Sequence, residues 1–293
     1  MPCYHPIDGY VTKGITKSFT IHKPRTGKPF FAQTINCGQC IGCRLERSRQ
    51  WAMRCMHESQ LHKESSFITL TYNPEHVPTD GSLNKRHFQL FIKKLRFSLK
   101  GRKIRYFHCG EYGETFGRPH YHACIFGYRP KDLECIKETA GIRLYSSQSL
   151  SSIWGMGFVT IGDVTFESAA YCARYITKKI TGQKAKNHYQ GRSPEYTTMS
   201  RRPGIGKPWF ENYHKDVYPK DFVTIREKKV KPPKYYDTLK EHLDPQGYLS
   251  IKIRRRLKGK ELALDNTPER LEVKERYTQI NLTKLARSYE NGT

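Results

Sequence analysis

Apolar residues recur at helical spacing most clearly in "LNKRHFQLFIKKLRFSLK" (83–100), where Phe88, Phe91, Ile92, Leu95 and Leu99 fall at i, i+3, i+4, i+7 and i+11. The opposite face of that helix is rich in Lys and Arg. "CRLERSRQWAMRCMHESQLHK" (43–63) has no Gly or Pro and is built of good helix formers, so it predicts another helix. "FITLTY" (67–72) is a strand pattern, followed by the turn-rich "NPEHVPTDGS" (73–82). "IRYFHCGEYG" (104–113) and "HYHACIFG" (120–127) are two strands joined by a short Gly/Pro loop, which predicts a hairpin. Residues 131–155 are mixed and helical in part, "FVTIGDV" (158–164) is a strand, and "SAAYCARYITKKITG" (168–182) is a helix closed by Gly182. The order β-α-β-β-(α)-β-α predicts an α+β fold, a central antiparallel β-sheet with helices on one face.

The flanks are less patterned. Residues 1–43 are loop-like; "KKVKPPKYY" (228–236) reads as a linker, "IKIRRRLKGK" (251–260) as a basic run and 267–290 as a solvated helix. Three regions result: a Cys-rich N-terminal segment with the first helix (1–63) packed on the next domain, a central domain (64–220) and a basic C-terminal region (221–293).

Charge narrows the function. The 293 residues hold 52 Lys and Arg against 27 Asp and Glu, a net charge of +25 spread along the chain. That field favours a polyanion, and nucleic acid is the usual one. Charge alone fits a basic protein without chemistry equally well. No apolar run approaches the ~20 residues that span a bilayer, and "MPCYHPIDGY" has no signal-peptide-like stretch. The expectation is a protein of the cytoplasm, with no membrane partner. In that compartment the nine cysteines should be thiols or metal ligands.

Chemistry enters with His120 and His122. On a strand, residues i and i+2 share a face, so both imidazoles project side by side. Glu111 closes the preceding strand, and the hairpin brings it back beside them; Glu114, in the turn, is a weaker third ligand. Two His and a carboxylate leave positions open for phosphate oxygens, which suits Mg²⁺ or Mn²⁺. Ordinary half-buried sheet histidines are the competing reading.

On the 168–182 helix, Ala169, Cys172, Ala173, Ile176 and Ile180 form one apolar stripe, and Tyr171, Tyr175 and Lys178 a separate arc. A tyrosine oxygen can attack phosphorus and hold a covalent phosphoryl group, with an ammonium beside it to stabilise charge. Lys179 competes with Lys178 for that role. Amphipathic edge tyrosines are the plainer alternative.

Cys37, Cys40 and Cys43 run as C-x2-C-x2-C, with Cys55 on the following helix and Cys3 at the start. The expected structural zinc site is Cys37, Cys40, Cys43 and Cys55, with an iron–sulfur cluster or free thiols as alternatives. "SRRPGIGKPW" (200–209) offers Arg201, Arg202 and Lys207 to backbone phosphate and Trp209 to a base. No stretch satisfies G-x-x-x-x-G-K-[ST].

"FITLTY", "GRPHYHACIF" and "YCARYITKK" resemble, in order, the three motifs of the HUH endonucleases, and Y-x-x-x-Y-x-x-K resembles their two-tyrosine branch. "CGQCIGCRLERSRQWAMRC", "GEYGETFGRPHYH" and "MSRRPGIGKPWFE" resemble the replication initiators of gokushovirus-like Microviridae phages, over about residues 1–215. The resemblance implies an HUH fold with His120, His122 and Glu111 on the metal, Tyr171 and Tyr175 as alternating nucleophiles and Lys178 as helper. It implies rolling-circle initiation: site-specific nicking and strand transfer of single-stranded origin DNA through a 5′-phosphotyrosyl intermediate, in the cytoplasm of a bacterial host that lends helicase and polymerase. Tyr121, between the histidines, is less apolar than the family pattern, but faces away from the metal. A relaxase or transposase of the same superfamily, and a non-catalytic zinc-stabilised nucleic-acid-binding protein, are the rival readings.

Overall fold

The computed structural model describes residues 3–12, 18–25, 29–113, 116–139, 141–178 and 184–283, with the backbone alone for 175–178, 184 and 283. The chain divides into two compact units: the described residues of Met1–Arg47 with Lys252–Arg287, and Ser48–Ile251.

In the first unit β1 (Ile7–Thr12), β2 (Phe19–Thr20) and β3 (Phe30–Ile35) pair as an antiparallel sheet in the order β2-β1-β3. Loop was expected here. β3 is exposed or half-exposed at all six positions, so no apolar alternation marks it. The helix α1 (Ile41–Ser59) follows.

The second unit is built on β4 (Ser65–Tyr72), α2 (Lys85–Ser98), β5 (Arg105–Tyr112), β6 (Pro119–Phe126), β7 (Leu133–Thr139), β8 (Ile142–Ser147), α3 (Gln148–Trp154), β9 (Gly157–Gly162), α4 (Phe166–Lys178), α5 (Lys184–Tyr189) and β10 (Tyr196–Met199). Seven of these strands form one antiparallel sheet, ordered β10-β5-β6-β4-β9-β8-β7. The expected helix α2 forms with Phe88, Phe91, Ile92 and Leu95 buried, and Asn84 caps it by accepting from the Arg86 amide. The predicted helical content of 131–155 is α3 alone; before it lies the hairpin β7–β8. β7 is the sheet's outer strand, exposed over six consecutive residues and carrying Glu134, Lys137 and Glu138. Charged edges of this kind deter further pairing and erase the strand signature.

The sheet carries helices on both faces, not one. Ile68, Leu70, Tyr72, Tyr121, Ala123 and Ile125 pack with α2 and α3. The alternate residues Phe67, Phe107, Cys109, Cys124 and Phe126 pack with Ala52 and Cys55 of α1 and with Ala169, Cys172 and Ala173 of α4. All eight residues of β6 are buried in consequence. The helices alternate with the strands along the chain, and their order does not disclose the face each covers.

Beyond the sheet, α6 (Lys207–Val217), the short hairpin β11 (Val223–Ile225) and β12 (Lys228–Val230), α7 (Lys234–Leu243) and the start of α8 (Pro245–Glu261) enclose a third core around Met53, Trp209, Phe210, Tyr218, Tyr236 and Tyr248. Residues 228–236 are therefore no linker: β12 and the first turn of α7 occupy them, and Tyr236 is fully buried. The basic run 251–260 is part of α8, and α9 (Pro268–Thr283) buries Leu271 beside Cys3, Tyr4 and Cys40 in the first unit. No described helix is long and apolar enough to cross a membrane.

Gly157 fixes how β9 meets β4. It has φ of 145°, and a Cβ there would lie 2.3 Å from the Thr71 carbonyl oxygen and 2.4 Å from the Asn73 nitrogen. Gly157→Ala is expected to cost about 3 kcal/mol or more in urea denaturation. Gly155→Ala, with φ of 65° and its nearest neighbour at 3.6 Å, should cost only about 1 kcal/mol.

Candidate metal and nucleophile site

Pairing register assembles the site. Glu111 of β5 lies directly opposite His120 of β6, and Cys109 opposite His122. On the other flank, Thr71 and Thr69 of β4 lie opposite His120 and His122. Directly opposed residues point to the same face, so the carboxylate and both imidazoles converge beneath α4. His120 Nε2 and His122 Nε2 stand 2.9 and 2.6 Å from the same oxygen, Glu111 Oε1.

The other ring nitrogens fix the orientation. His120 Nδ1 lies 3.1 Å from the Arg118 carbonyl oxygen, and His122 Nδ1 lies 2.8 Å from Thr69 Oγ1. A carbonyl only accepts, so Nδ1 of His120 carries a hydrogen, and a neutral ring would turn its Nε2 lone pair toward the carboxylate. Two acceptors at that distance require a proton or a cation between them. Glu111 Oε2 is buried with no hydrogen-bond partner, so it too is available to a cation. Burial pushes the Glu111 carboxyl up, but His122 and His120 outweigh it and hold it below the ordinary carboxylate range. The donor set of two imidazoles and a carboxylate fits a hard-to-borderline divalent cation, and these three residues form one of two groups among the described residues with metal-ligand spacing.

Tyr171 completes the cluster. Its hydroxyl donates to Glu111 Oε1 at 3.4 Å, and its ring meets that of His122 edge-on at 4.9 Å. The apolar stripe of α4 presses Ala169, Cys172 and Ala173 into the sheet core, which aims Tyr171 along the sheet toward the triad. The Arg174 guanidinium stands 5.6 Å from the Tyr171 ring centroid. Tyr175 and Lys178 occupy the next turns of α4, where the backbone alone is described. Glu114, Lys179, Ile180 and Gly182 lie outside the described residues.

The second group with metal-ligand spacing is Cys3, Cys37, Cys40 and Cys43, with all four sulfurs within 4.8 Å of one another. Cys55 is not among them. It sits 12 residues after Cys43, about 18 Å along a continuous helix, and is buried in the sheet core with Cys109, Cys124 and Cys172. Cys3 takes the fourth place in the group, a residue that spacing within the C-x2-C-x2-C run does not reveal. Amides surround the sulfurs: Cys37 donates to Cys3 Sγ at 3.2 Å, Cys40 to Cys37 Sγ at 3.3 Å and Tyr4 to Cys40 Sγ at 3.3 Å. Burial pushes the Cys40 thiol up, yet the Cys43 and Tyr4 amides and the neighbouring thiols bring it down to about 6. Four sulfurs ringed by N–H donors fit a closed tetrahedral thiolate site.

The 200–209 stretch divides. Arg201 and Arg202 are exposed. Lys207 pairs with Glu211 at 3.4 Å. Trp209 is not available to a base: it is buried, stacked on His57 with centroids 3.5 Å apart, and its indole N–H donates to Gln60. The reason is the third core, which needs a large flat residue against His57 and Tyr236. Glu58, fully buried, anchors the same segment by accepting from the Gly206 amide and pairing with Arg105.

With this geometry in place, the comparisons decide the family. A family model described as "Replication-associated protein ORF2/G2P" matches residues 65–180, from β4 to just beyond α4. The "Replication-associated protein VP4" of Bdellovibrio phage phiMH2K is 33% identical over 273 residues, covering 90% of this chain and 84% of that protein. The chain belongs to the phage replication-associated proteins. The "Replication-associated protein ORF2" of Spiroplasma virus 4 is 39% identical over 217 residues, 70% of this chain and 67% of that protein. That of Chlamydia phage 1, "ORF4", is 28% identical over 218 residues, 71% and 54% of the two chains. These relatives place the replication-associated protein with those of Microviridae-like phages. No solved structure matches it.

Burial pushes the His57 imidazole down to about 3. A neutral buried His contributes its stability fully above the ordinary pKa of about 6.5, and loses it as the pH falls toward 3 because the unfolded chain takes the proton first. Unfolding free energy should therefore decline below pH 6.5, by up to about 1.4 kcal/mol per pH unit from this group. His57→Gln should flatten that decline in urea melts taken from pH 7 to pH 4.

Proposed function

We propose that this replication-associated protein initiates rolling-circle replication by nicking and rejoining single-stranded DNA at the phage origin. The observation that carries the reading is the Glu111–His120–His122 triad with the Tyr171 hydroxyl on Glu111 Oε1. Glu111, His120 and His122 would hold Mg²⁺ or Mn²⁺, which when bound supplies Lewis-acid polarisation of a phosphate oxygen.

The protein's own groups do the rest. Thr69 and the Arg118 carbonyl hold the imidazoles with Nε2 turned inward. Tyr171 attacks phosphorus; the O–P bond to tyrosine forms, the P–O3′ bond breaks, and the phenolic proton ends on the departing 3′-hydroxyl. The 5′-phosphotyrosyl bond conserves the phosphodiester's energy, so no nucleotide hydrolysis is needed. The free 3′-hydroxyl primes a host polymerase behind a host helicase. Tyr175, one helical turn on, would cut the regenerated origin. The released 3′-hydroxyl would close the circle by attacking the first phosphotyrosine. Lys178 would stabilise charge on the phosphate. Arg201 and Arg202 would hold backbone phosphate. The nuclease domain in this reading is 64–220, with the HUH fold.

We also infer that Cys3, Cys37, Cys40 and Cys43 hold a structural Zn²⁺. Such a site can supply on the order of 10 kcal/mol of folding free energy, and the small sheet β1–β3 has few buried residues of its own. Zinc assay of the purified chain should find about one ion per molecule, lost in Cys3→Ser and kept in Cys55→Ser.

Nicking is tested with oligonucleotides tiled across the single-stranded genome that encodes the chain, run on denaturing gels. Wild type with Mn²⁺ or Mg²⁺ should give a covalent protein–DNA band, absent in Tyr171→Phe/Tyr175→Phe. Thr69→Val should weaken Mn²⁺ binding by about 10- to 100-fold in calorimetry. Salt-sensitive DNA binding without any adduct would support the non-catalytic binder instead.

A further inference from the structure

The sheet face that carries the triad continues past it. Register places Glu111, His120, Thr71 and Phe158 in one lateral row across β5, β6, β4 and β9. Cys109, His122, Thr69 and Thr160 form the row beside it. Phe158 thus shares the triad's face, two strands from His120, about 10 Å at the usual ~4.8 Å strand spacing. Burial changes sharply along the row. Glu111 and His122 are sealed, Thr69, Thr71 and Thr160 are half-buried, and Phe158 is 65% exposed.

A single exposed aromatic is ordinary; this one is set in a rigid frame. Gly157 locks the start of β9 against the backbone of Thr71 and Asn73, and the Trp154 indole N–H donates to the Thr71 carbonyl at 3.2 Å. Just before β6, Arg118 is exposed, two residues ahead of His120, and its guanidinium reaches the Tyr72 carbonyl at 3.0 Å. The open side of the triad therefore offers a polar floor of threonines, with an aromatic plate on β9 and a cation on the neighbouring end of β4. Single strands are gripped in this way, phosphate on the cation and base on the ring. The net charge of +25 points to the same ligand.

We propose that Phe158 and Arg118 form a nucleotide subsite beside the triad. Phe158 stacks a base of single-stranded DNA on the flank of the scissile phosphate that crosses β4 and β9, and Arg118 holds a phosphate of the same flank. The proposal rests on the nicking reading of the triad, and both residues act as positioning residues.

The test uses full-length chain and oligothymidylate carrying one 2-aminopurine at successive positions, in the non-cleaving Tyr171→Phe/Tyr175→Phe background. Stacking on Phe158 should quench the probe. Phe158→Ala should abolish that quenching and weaken binding by about 5- to 150-fold, the equivalent of 1–3 kcal/mol per stacked base. Phe158→Trp should retain both. Arg118→Gln should lower the salt slope of log K by about 0.7, one single-strand phosphate contact. Both side chains are exposed, and unchanged melting temperatures would exclude misfolding. Unchanged quenching and affinity in Phe158→Ala would overturn the subsite, while wild-type nicking would leave the triad reading standing. Loss of quenching in Phe158→Ala with no nicking by wild type would support the subsite and sink the triad reading.

Discussion

The antiparallel register of β5 on β6 is the constraint on which everything else depends. It puts Glu111 opposite His120 and Cys109 opposite His122. A slip of one residue would send the carboxylate to the α2 face and leave the imidazoles facing an apolar strand. Helices on both faces oppose the slip, because all eight residues of β6 are buried. Burial against α2 and α3 on one side, and α1 and α4 on the other, thus holds the Glu111–His120–His122 geometry that local propensity could not. The same packing orients α4, so that Tyr171 meets the triad from above.

The interior of the site is costly by design. A carboxylate with one oxygen unpartnered and two imidazole nitrogens turned on the other is a buried polar cluster. Apolar residues of similar volume would stabilise the sheet more. In the proposed reading its ligand is a cation and its neighbour a phosphate. The cysteine group differs in kind: four thiols ringed by amides leave no open position, which suits a structural ion.

Much of this was legible in the sequence because its periodicities are local. Phe88, Phe91, Ile92 and Leu95 announce α2, and His120 with His122 announce a shared face. Glu111 could be placed beside them because a short loop leaves a hairpin few registers. What failed to show was long-range. Cys3 joins Cys37 across 34 residues, which no spacing rule covers, while Cys55 looked suitable and turned inward on its helix. Trp209 looked like a base-stacking residue in a basic loop, yet the core around His57 and Tyr236 claims it. β3 and β7 lack alternation because they are exposed on both sides or at an edge. The side of the sheet each helix covers depends on crossover packing, not on helical pattern.

The most direct measurement is peptide mass spectrometry of the chain after reaction with single-stranded origin DNA and Mn²⁺, with nuclease trimming of the attached strand. The account predicts a nucleotide linked through its 5′-phosphate to the α4 peptide, on Tyr171 or Tyr175, and none when His120 and His122 are replaced by alanine. A nucleotide on a tyrosine outside α4, or an adduct that forms unchanged without the two histidines, would contradict it.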